Sequence, residues 1–108
     1  MAAFDNGILA NVGTTEAAIY TAPIGGPHLL ISVIATNIYG AGLGINIKVV
    51  RGGTTIWLAH NRRISTDESN EILMGSKVSL EAGDIIKASA AADNAFSVIA
   101  TITEDVLS

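Results

Sequence analysis

The sequence predicts an all-β fold, an antiparallel β-sandwich of jelly-roll type with about eight strands. The first observation is composition: the 108 residues include 15 isoleucines, 7 valines and 9 threonines but only 8 leucines. Side chains that branch at Cβ are restricted in χ1 and fit a pleated strand better than a helix. The second is spacing, because short apolar segments alternate with turn residues at intervals typical of sandwiches and barrels. The third is that no stretch of helical length shows the period of an amphipathic helix.

Turn residues set the limits of the individual strands. Residues 28–38 are nearly all apolar, which is expected of a strand covered on both faces, and they follow the turn-forming segment "PIGGP". Residues 45–49 alternate apolar and polar side chains, and the "RGGTT" that follows predicts a hairpin with a two-glycine turn. The predicted strands are residues 15–22, 28–38, 45–49, 56–60, 71–74, 77–80, 84–90 and 96–104.

The domain organisation is predicted to be simple. Residues 13–108 form one sandwich domain, and residues 1–12 form an amino-terminal arm. A chain of this length buries enough surface for one core but not for two. The most polar stretch, residues 62–70, is expected to hold the longest surface loop.

Charge and composition argue against several classes of partner. The formal net charge is −4. The basic residues form no cluster of the kind that neutralises phosphates, so we expect no nucleic-acid partner. The chain has no cysteine, so no disulfide framework or thiolate nucleophile is expected. The amino terminus lacks a signal-peptide pattern and no apolar run approaches membrane-spanning length. We therefore expect a soluble protein, made in the cytoplasm, with no membrane partner.

The segment "VSLEAGDIIK" brings two carboxylates close together in sequence. Glu81 and Asp84 flank Ala82 and Gly83. A general acid–base pair needs two carboxylates held across a substrate. In a turn, by contrast, glycine adopts the left-handed conformation and aspartate accepts hydrogen bonds from nearby backbone amides. We interpret the segment as a corner between two strands.

Other candidate sites also favour a structural interpretation. The "GAGLG" segment precedes a predicted strand, whereas a phosphate-binding loop needs a helix there. His28 and His60 have no catalytic or metal-binding motif beside them. Asp67, Glu68 and Glu71 lack the central glycine of a calcium loop, and cation binding by this loop stays an open question. We expect no enzymatic activity, no catalytic residue, no cofactor and no metal.

Trp57 is the only tryptophan and has two interpretations. It lies on the strand face opposite Ile56 and Leu58. It either covers the second face of the sandwich or projects as an anchor for a partner or a sugar. Large aromatic side chains are enriched at interface hot spots and can stack on flat ligands. The sequence leaves both interpretations open.

Several stretches of the chain resemble a group of small tailed-bacteriophage virion proteins. These stretches are "TEAAIYTAP", the "TN" at the end of the long apolar strand, "LAHN" and "LEAGDII". The resemblance spans most of the chain. The matching positions are Thr15, Tyr20, Thr21, Ala22, Pro23, Thr36, Asn37, Leu58, Ala59, Asn61, Leu80, Ala82, Gly83, Asp84 and Ile86.

The resemblance implies a non-enzymatic building block of the virion, made in the host cytoplasm. Many such proteins are capsid decoration (cement) proteins that stabilise the shell as homotrimers, with the major capsid protein or other virion proteins as partners. The apolar fraction of 49% fits this role, because surplus apolar surface can be buried between subunits. A neck, tail or baseplate/fibre component is one alternative. A carbohydrate-binding jelly-roll module that uses Trp57 with Tyr39 or Tyr20 is another.

The expected contacts between subunits combine apolar and basic side chains. Arg62 and Arg63 could pair with the acids of the following loop, either within one chain or between neighbouring chains. The expected interface residues are Ile8, Leu9, Val12, Leu30, Ile34, Trp57, Arg62 and Arg63.

Overall fold

The computed structural model describes residues 3–23 and 28–104, and every regular element within them is a β-strand. The strands are β1 (Ala3–Val12), β2 (Ala17–Thr21), β3 (His28–Asn37), β4 (Leu43–Arg51), β5 (Thr54–Ile64), β6 (Ser69–Glu71), β7 (Val78–Leu80), β8 (Ile85–Ala90) and β9 (Phe96–Glu104). The predicted all-β fold is confirmed.

The strands form two antiparallel sheets. Sheet A has the order β1-β9-β3-β6, with β7 also paired to β3, and sheet B has the order β2-β8-β4-β5. Because β6 and β7 pair with different ends of β3, they share one strand position. When β6 and β7 are counted as one position, successive strands alternate between the two sheets. The one exception is the β4–β5 hairpin, whose two strands both belong to sheet B. This connectivity is that of a jelly roll with eight strand positions.

The core fills the space between the sheets with branched aliphatic side chains and one phenylalanine. Each large aliphatic side chain that folding removes from water contributes roughly 1.5–3 kcal/mol. Both sheets supply the core, so neither sheet can form its buried face without the other. The largest fully buried side chains include Phe96, Leu30, Ile45, Ile47, Ile64, Ile86 and Ile102.

The long apolar strand β3 is covered on one face only. Leu30, Val33 and Ala35 are fully buried in the core, whereas Ile34 is 38% exposed. The expectation of a strand covered on both faces is wrong, because a two-layer sandwich buries only the inner face of each sheet. The outer face of sheet A is therefore more apolar than the alternation of an ordinary half-buried strand predicts.

Residues 3–12, which the sequence assigned to an amino-terminal arm, form β1 at the edge of sheet A. β1 pairs with β9 from Ala3, opposite Glu104, to Leu9, opposite Val98, and its end at Val12 is buried in the core. The described part of the predicted arm is thus a strand of the sandwich, because β9 offers it antiparallel pairing from Ala3 to Leu9 and again at Val12.

The β4–β5 hairpin forms as predicted, but β5 is longer than expected. The turn consists of Gly52, with φ of 59°, and Gly53. β5 extends to Ile64, so Arg62 and Arg63 belong to a strand rather than to a surface loop. The register between β4 and β5 shifts twice, as in β-bulges. Bulges on an outer strand disturb the row of unpaired backbone groups that would otherwise invite pairing with another chain.

The predicted strand at residues 71–74 is also displaced, because β6 ends at Glu71. The Glu71 carboxylate accepts hydrogen bonds from the N–H groups of Val33, Leu73 and Gly75 at 3.0, 3.1 and 3.1 Å. Burial opposes ionisation of Glu71, but these donors more than offset it, so the pKa of its carboxyl lies below the ordinary value. In the link between β6 and β7, the Glu71 carboxylate thus binds backbone N–H groups that would bond to a neighbouring strand if the strand continued.

β1 and β2 approach each other closely at Gly7. A Cβ atom added to Gly7 would lie 2.6 Å from the carbonyl oxygen of Ile19 and 2.9 Å from the Cβ of Tyr20. We expect Gly7→Ala to lower the free energy of unfolding by about 1–3 kcal/mol, because the backbone of one strand must move. Chemical denaturation measures this change. Gly40→Ala is the matched control, since its added Cβ meets no atom within 4 Å. Equal stability of both variants would contradict the close approach.

Candidate interaction surface

Three isoleucines form a line across the outer face of sheet A, which we call the isoleucine row (Ile8, Ile99 and Ile34). Ile99 of β9 lies directly opposite Ile8 of β1 on one side and Ile34 of β3 on the other. The exposed fractions are 66% for Ile8, 38% for Ile34 and 37% for Ile99. The row runs along a shallow groove. Three neighbouring strands thus present one continuous apolar line to solvent.

Uncharged polar residues border the isoleucine row on both sides. Asn6, Thr101 and Ser32 occupy paired positions on one side, and Ser97 lies opposite Thr36 on the other. Removing charged groups from water is costly, whereas hydroxyl and amide groups can exchange water for hydrogen bonds across an interface. The isoleucine row with its borders therefore has the chemistry of a surface that a partner can cover.

The predicted interface residues of sheet A lie in different places. Ile8 and Ile34 belong to the isoleucine row, and Leu9 is half-buried and packs against the core. Val12 and Leu30 are buried between the sheets. These two side chains cannot reach a partner, and we remove them from the predicted interface, because their positions in β1 and β3 direct them inward.

Ile99 is the residue of the isoleucine row that the sequence reasoning missed. In β9, Phe96 and Val98 are buried, and Ile99 stands on the opposite face between Ser97 and Thr101. An isoleucine in an otherwise hydroxyl-bearing face of a strand was the available signal. Its neighbours across the sheet could be found only from the strand order.

Trp57 projects from the outer face of sheet B and is 48% exposed. It lies opposite Lys48 of β4, whose Nζ is 5.3 Å from the centroid of the indole ring. The His60 ring packs edge-on against the indole, with the ring centroids 4.7 Å apart. Trp57 does not cover the core, and its exposure favours the interpretation as a projecting anchor.

A small charge cluster lies beside Trp57. The Glu16 carboxylate is 2.5 Å from the Nζ of Lys48 and 3.6 Å from that of Lys87. The two lysines lie directly opposite each other on neighbouring strands, so Glu16 offsets their repulsion. The hydrogen bond from Lys48, with the charges of both lysines, holds the pKa of Glu16 below its ordinary value. Glu16 balances one of the two lysine charges, so the cluster remains positively charged.

The two tyrosines do not lie beside Trp57. Tyr20 is half-buried, packs against the core and is paired with Ile86, whose side chain is fully buried. Tyr39 lies in the loop before β4, which begins at Leu43. The β4 residue opposite Trp57 is Lys48, so about 17 Å of strand separates the two regions. The aromatic pair that the carbohydrate-binding alternative required is therefore not assembled.

Arg62 and Arg63 form no ion pair with the acids of the following loop among the residues that the structure describes. Arg63 instead donates a hydrogen bond to the carbonyl oxygen of Gly42 at 3.3 Å. Asp67 and Glu68 are exposed. Of the two pairings that the sequence left open, the one within a single chain is not formed in the described part.

Glu81 and Asp84 form a strand corner, as predicted. Gly83 has a φ of 88°, and the N–H of Asp84 donates to the carbonyl oxygen of Glu81 at 3.0 Å. The Asp84 carboxylate is 1% exposed. It accepts hydrogen bonds from Arg51 Nε and Nη2, the shortest at 2.7 Å, and from the N–H of Glu81 at 2.8 Å.

The Asp84 carboxylate is a structural clamp. Its burial opposes ionisation, but the Arg51 guanidinium and the Glu81 N–H more than offset that cost, so the pKa of Asp84 lies below its ordinary value. Arg51 also reaches Glu81, with its Nη1 3.1 Å from a carboxylate oxygen. A carboxylate held ionised and occupied by several donors is poorly suited to accept a proton from a substrate.

The remaining titratable side chains do not gather at one place. His28 is buried in β3, and His60 packs against Trp57. Across residues 3–23 and 28–104, no group of three or more histidine, aspartate or glutamate side chains is placed to hold a metal ion. Over the same ranges, no helix has the length and apolar character needed to cross a membrane.

Comparison with known proteins gives similarity of fold. No protein-family model matches the sequence, and no curated protein is similar to it. Among solved structures, a protein of the Bacillus endospore appendages, described as a family of disulfide-linked pili, is 18% identical, with a TM-score of 0.56 over 96% of this chain and 88% of that chain. At this identity, the similarity shows the shared fold alone.

Two viral proteins are structurally more distant. A pentameric capsid protein isolated from metagenomic phage sequences is 20% identical, with a TM-score of 0.46 over 94% of this chain and 62% of that chain. A protein from infectious bursal disease virus, Gx strain, is 12% identical, with a TM-score of 0.46 over 96% of this chain and 32% of that chain. This chain thus spans less than two thirds of the length of either protein.

Replacing Asp84 by asparagine tests the clamp, because it removes the charge and keeps the shape. We expect Asp84→Asn to lower the free energy of unfolding at neutral pH by about 1.5–3 kcal/mol, since hydrogen bonds to a charged acceptor are lost. Folding lowers the pKa of Asp84 from its unfolded-state value of about 4. The ionised carboxylate therefore stabilises the fold fully above that value, and this stabilisation is lost as the pH falls through the folded-state pKa.

Urea unfolding at several pH values measures this effect. The variant should lose less stability than the native chain between neutral and strongly acidic pH. Glu81→Gln is the control, because the Glu81 side chain is 70% exposed. An identical pH dependence in Asp84→Asn and the native chain would contradict the clamp.

Proposed function

We propose that this chain is a non-enzymatic structural subunit of a tailed-bacteriophage virion that decorates and stabilises the capsid shell as a homotrimer. The observation that carries the proposal is the isoleucine row. Three large apolar side chains are partly exposed on one hydrogen-bonded sheet, with uncharged residues along both sides of the row and Glu71 opposite Ile34 at its end. We assign this surface to the contact with the shell.

The energetics of the isoleucine row suit adhesion. Covering the exposed area of the three isoleucines would contribute on the order of 5 kcal/mol at 25 cal/mol per Å². That contribution is too small to hold a complex alone, because association carries a large entropic cost. It becomes sufficient when several subunits of one oligomer dock together, since each added contact is intramolecular.

The resemblance to small tailed-bacteriophage virion proteins supports the same role. Its motif positions have identifiable structural tasks in this chain. Asp84 clamps the corner before β8, and Asn37 holds the loop after β3. The resemblance therefore concerns residues that hold the sandwich together. On its basis we propose that the isoleucine row is covered by another protein of the virion.

The location within the particle can be tested by copy number. Quantitative mass spectrometry of purified virions should find this chain in hundreds of copies per particle, in proportion to the major capsid protein. A few to dozens of copies would instead indicate a neck, tail or baseplate component. Absence from purified particles would contradict the virion role.

A charged substitution in the isoleucine row should abolish docking without unfolding the subunit. We expect Ile99→Asp to reduce binding to undecorated shells at least tenfold, because an unpaired charge would be buried in the contact. Cosedimentation of purified protein with shells measures this binding. Thermal unfolding should show a folded variant, since the side chain faces solvent.

Ile56→Asp is the matched control for this substitution. Ile56 is 42% exposed and lies on the outer strand of sheet B opposite the buried Val49, so thermal unfolding is measured for this variant too. The control should bind shells like the native chain. Equal binding by Ile99→Asp and the native chain would contradict the assignment of the isoleucine row to the shell contact.

A further inference from the structure

A second surface lies where two loops meet at one end of the sandwich; we call it the loop end (residues 38–42 and 63–68). Its two segments are joined by hydrogen bonds. Arg63 donates to the carbonyl oxygen of Gly42 at 3.3 Å, and the Thr66 hydroxyl donates to the carbonyl oxygen of Tyr39. These contacts make the loop end one continuous surface rather than two separate loops.

The buried side chain of Asn37 fixes the shape of the loop end. Its Nδ2 donates to the carbonyl oxygens of Ala41 and Ile64 at 3.0 and 2.8 Å, and its Oδ1 accepts the N–H of Tyr39 at 2.7 Å. The Asn37 backbone bonds to the other segment, because its carbonyl oxygen accepts the N–H of Asp67 at 3.0 Å. A surface held in this way loses little conformational entropy when it binds.

The loop end exposes apolar side chains at its centre. Ile38 is 47% exposed and Tyr39 is 41% exposed, and the two are adjacent in the chain. Tyrosine and arginine are the residue types enriched at the centres of protein interfaces. The exposed Arg63, which contacts the other segment at Gly42, therefore adds to an interface-like composition.

The charges of the loop end are opposite in sign but unpaired. All three side chains belong to the segment 63–68: Arg63 lies near the end of β5, and Asp67 and Glu68 lie in the loop that follows it. In the part of the chain that the structure describes, none of them lies within 4.0 Å of an opposite charge. Asp67 is exposed and has a φ of 62°, a left-handed conformation that is uncommon for residues other than glycine.

We propose that the loop end is the contact between copies of this chain, in which Arg63 of one copy pairs with Asp67 and Glu68 of the next. The inference rests on the proposed homo-oligomer and names its interface. A surface that carries both charges side by side is complementary to a second copy of itself. Each copy gives Arg63 to one neighbour and receives Arg63 from the other, so in a closed ring every Arg63 guanidinium faces the two carboxylates of its neighbour. Ile38 and Tyr39 then become buried around the symmetry axis.

Charge reversal tests the pairing directly. Arg63→Glu and Glu68→Arg should each raise the dissociation constant of the oligomer at least tenfold, because like charges then face each other. The double variant Arg63→Glu/Glu68→Arg should return to within about threefold of the native value. Light scattering over a range of concentrations measures the oligomer. Arg63→Glu also removes the hydrogen bond to the Gly42 carbonyl oxygen, so thermal unfolding is measured for every variant, and recovery in the double variant shows that charge rather than this bond controls association.

Mixing the two single variants provides a second test. Arg63→Glu leaves the loop end acidic, and Glu68→Arg leaves it basic. Each alone should remain dissociated, and an equimolar mixture should associate, because the opposite charges then meet across the contact. Lys77→Glu is the control for net charge, since Lys77 is exposed in the link between β6 and β7, and it should leave the oligomer unchanged.

The possible outcomes separate this inference from the proposed function. A native chain that is monomeric at all concentrations would overturn the homo-oligomer and this contact with it. A native oligomer that persists in both single variants would overturn the loop-end contact alone. Loss of the oligomer in the single variants without recovery in the double variant or the mixture would overturn the pairing of Arg63 with Asp67 and Glu68.

Discussion

The constraint on which this molecule depends is that a two-layer sandwich can bury only one face of each sheet. The chain is rich in Cβ-branched residues, and the interior takes one set of them from every long strand. In β9, Val98 and Ile102 enter the core, while Ile99 stands on the opposite face. The same division in β1 and β3 leaves Ile8 and Ile34 outside. The isoleucine row is thus what remains after the core is complete. Uncharged residues along both of its sides keep that row suitable for contact.

Polar side chains with satisfied hydrogen bonds then fix the ends of the strands. Asp84 holds the corner before β8 through Arg51, and Asn37 holds the loop after β3. Glu71 replaces strand pairing with a set of bonds to backbone N–H groups. Buried polar groups stabilise a fold when each has partners, and they also select one arrangement among similar ones. In this chain they give defined shapes to the corner before β8 and to the loop end.

Composition and alternation were sufficient to predict the all-β class, the sandwich and the hairpin at Gly52, because these depend on local properties of the chain. The pairing of residues 3–12 with β9 was not predictable, since it joins the two ends of the sequence. The shared face of Trp57 and His60 was not predictable for a different reason. The side-chain period of a strand is two, so each bulge reverses the face of every residue beyond it. The bulges of β5 place Trp57 and His60 together, although their spacing alone would separate them. To predict that Ile34 is exposed, one must know how many layers the fold has, and no local sequence pattern gives that number.

The central claim is that this sandwich works by adhesion through the outer face of sheet A. Cryo-electron microscopy of purified virions tests it most directly, because the reconstruction reveals which face of the subunit touches the particle. The account predicts subunits bound through sheet A, with Ile8, Ile34 and Ile99 covered by shell protein. Subunits attached through sheet B, with the isoleucine row facing solvent, would contradict it.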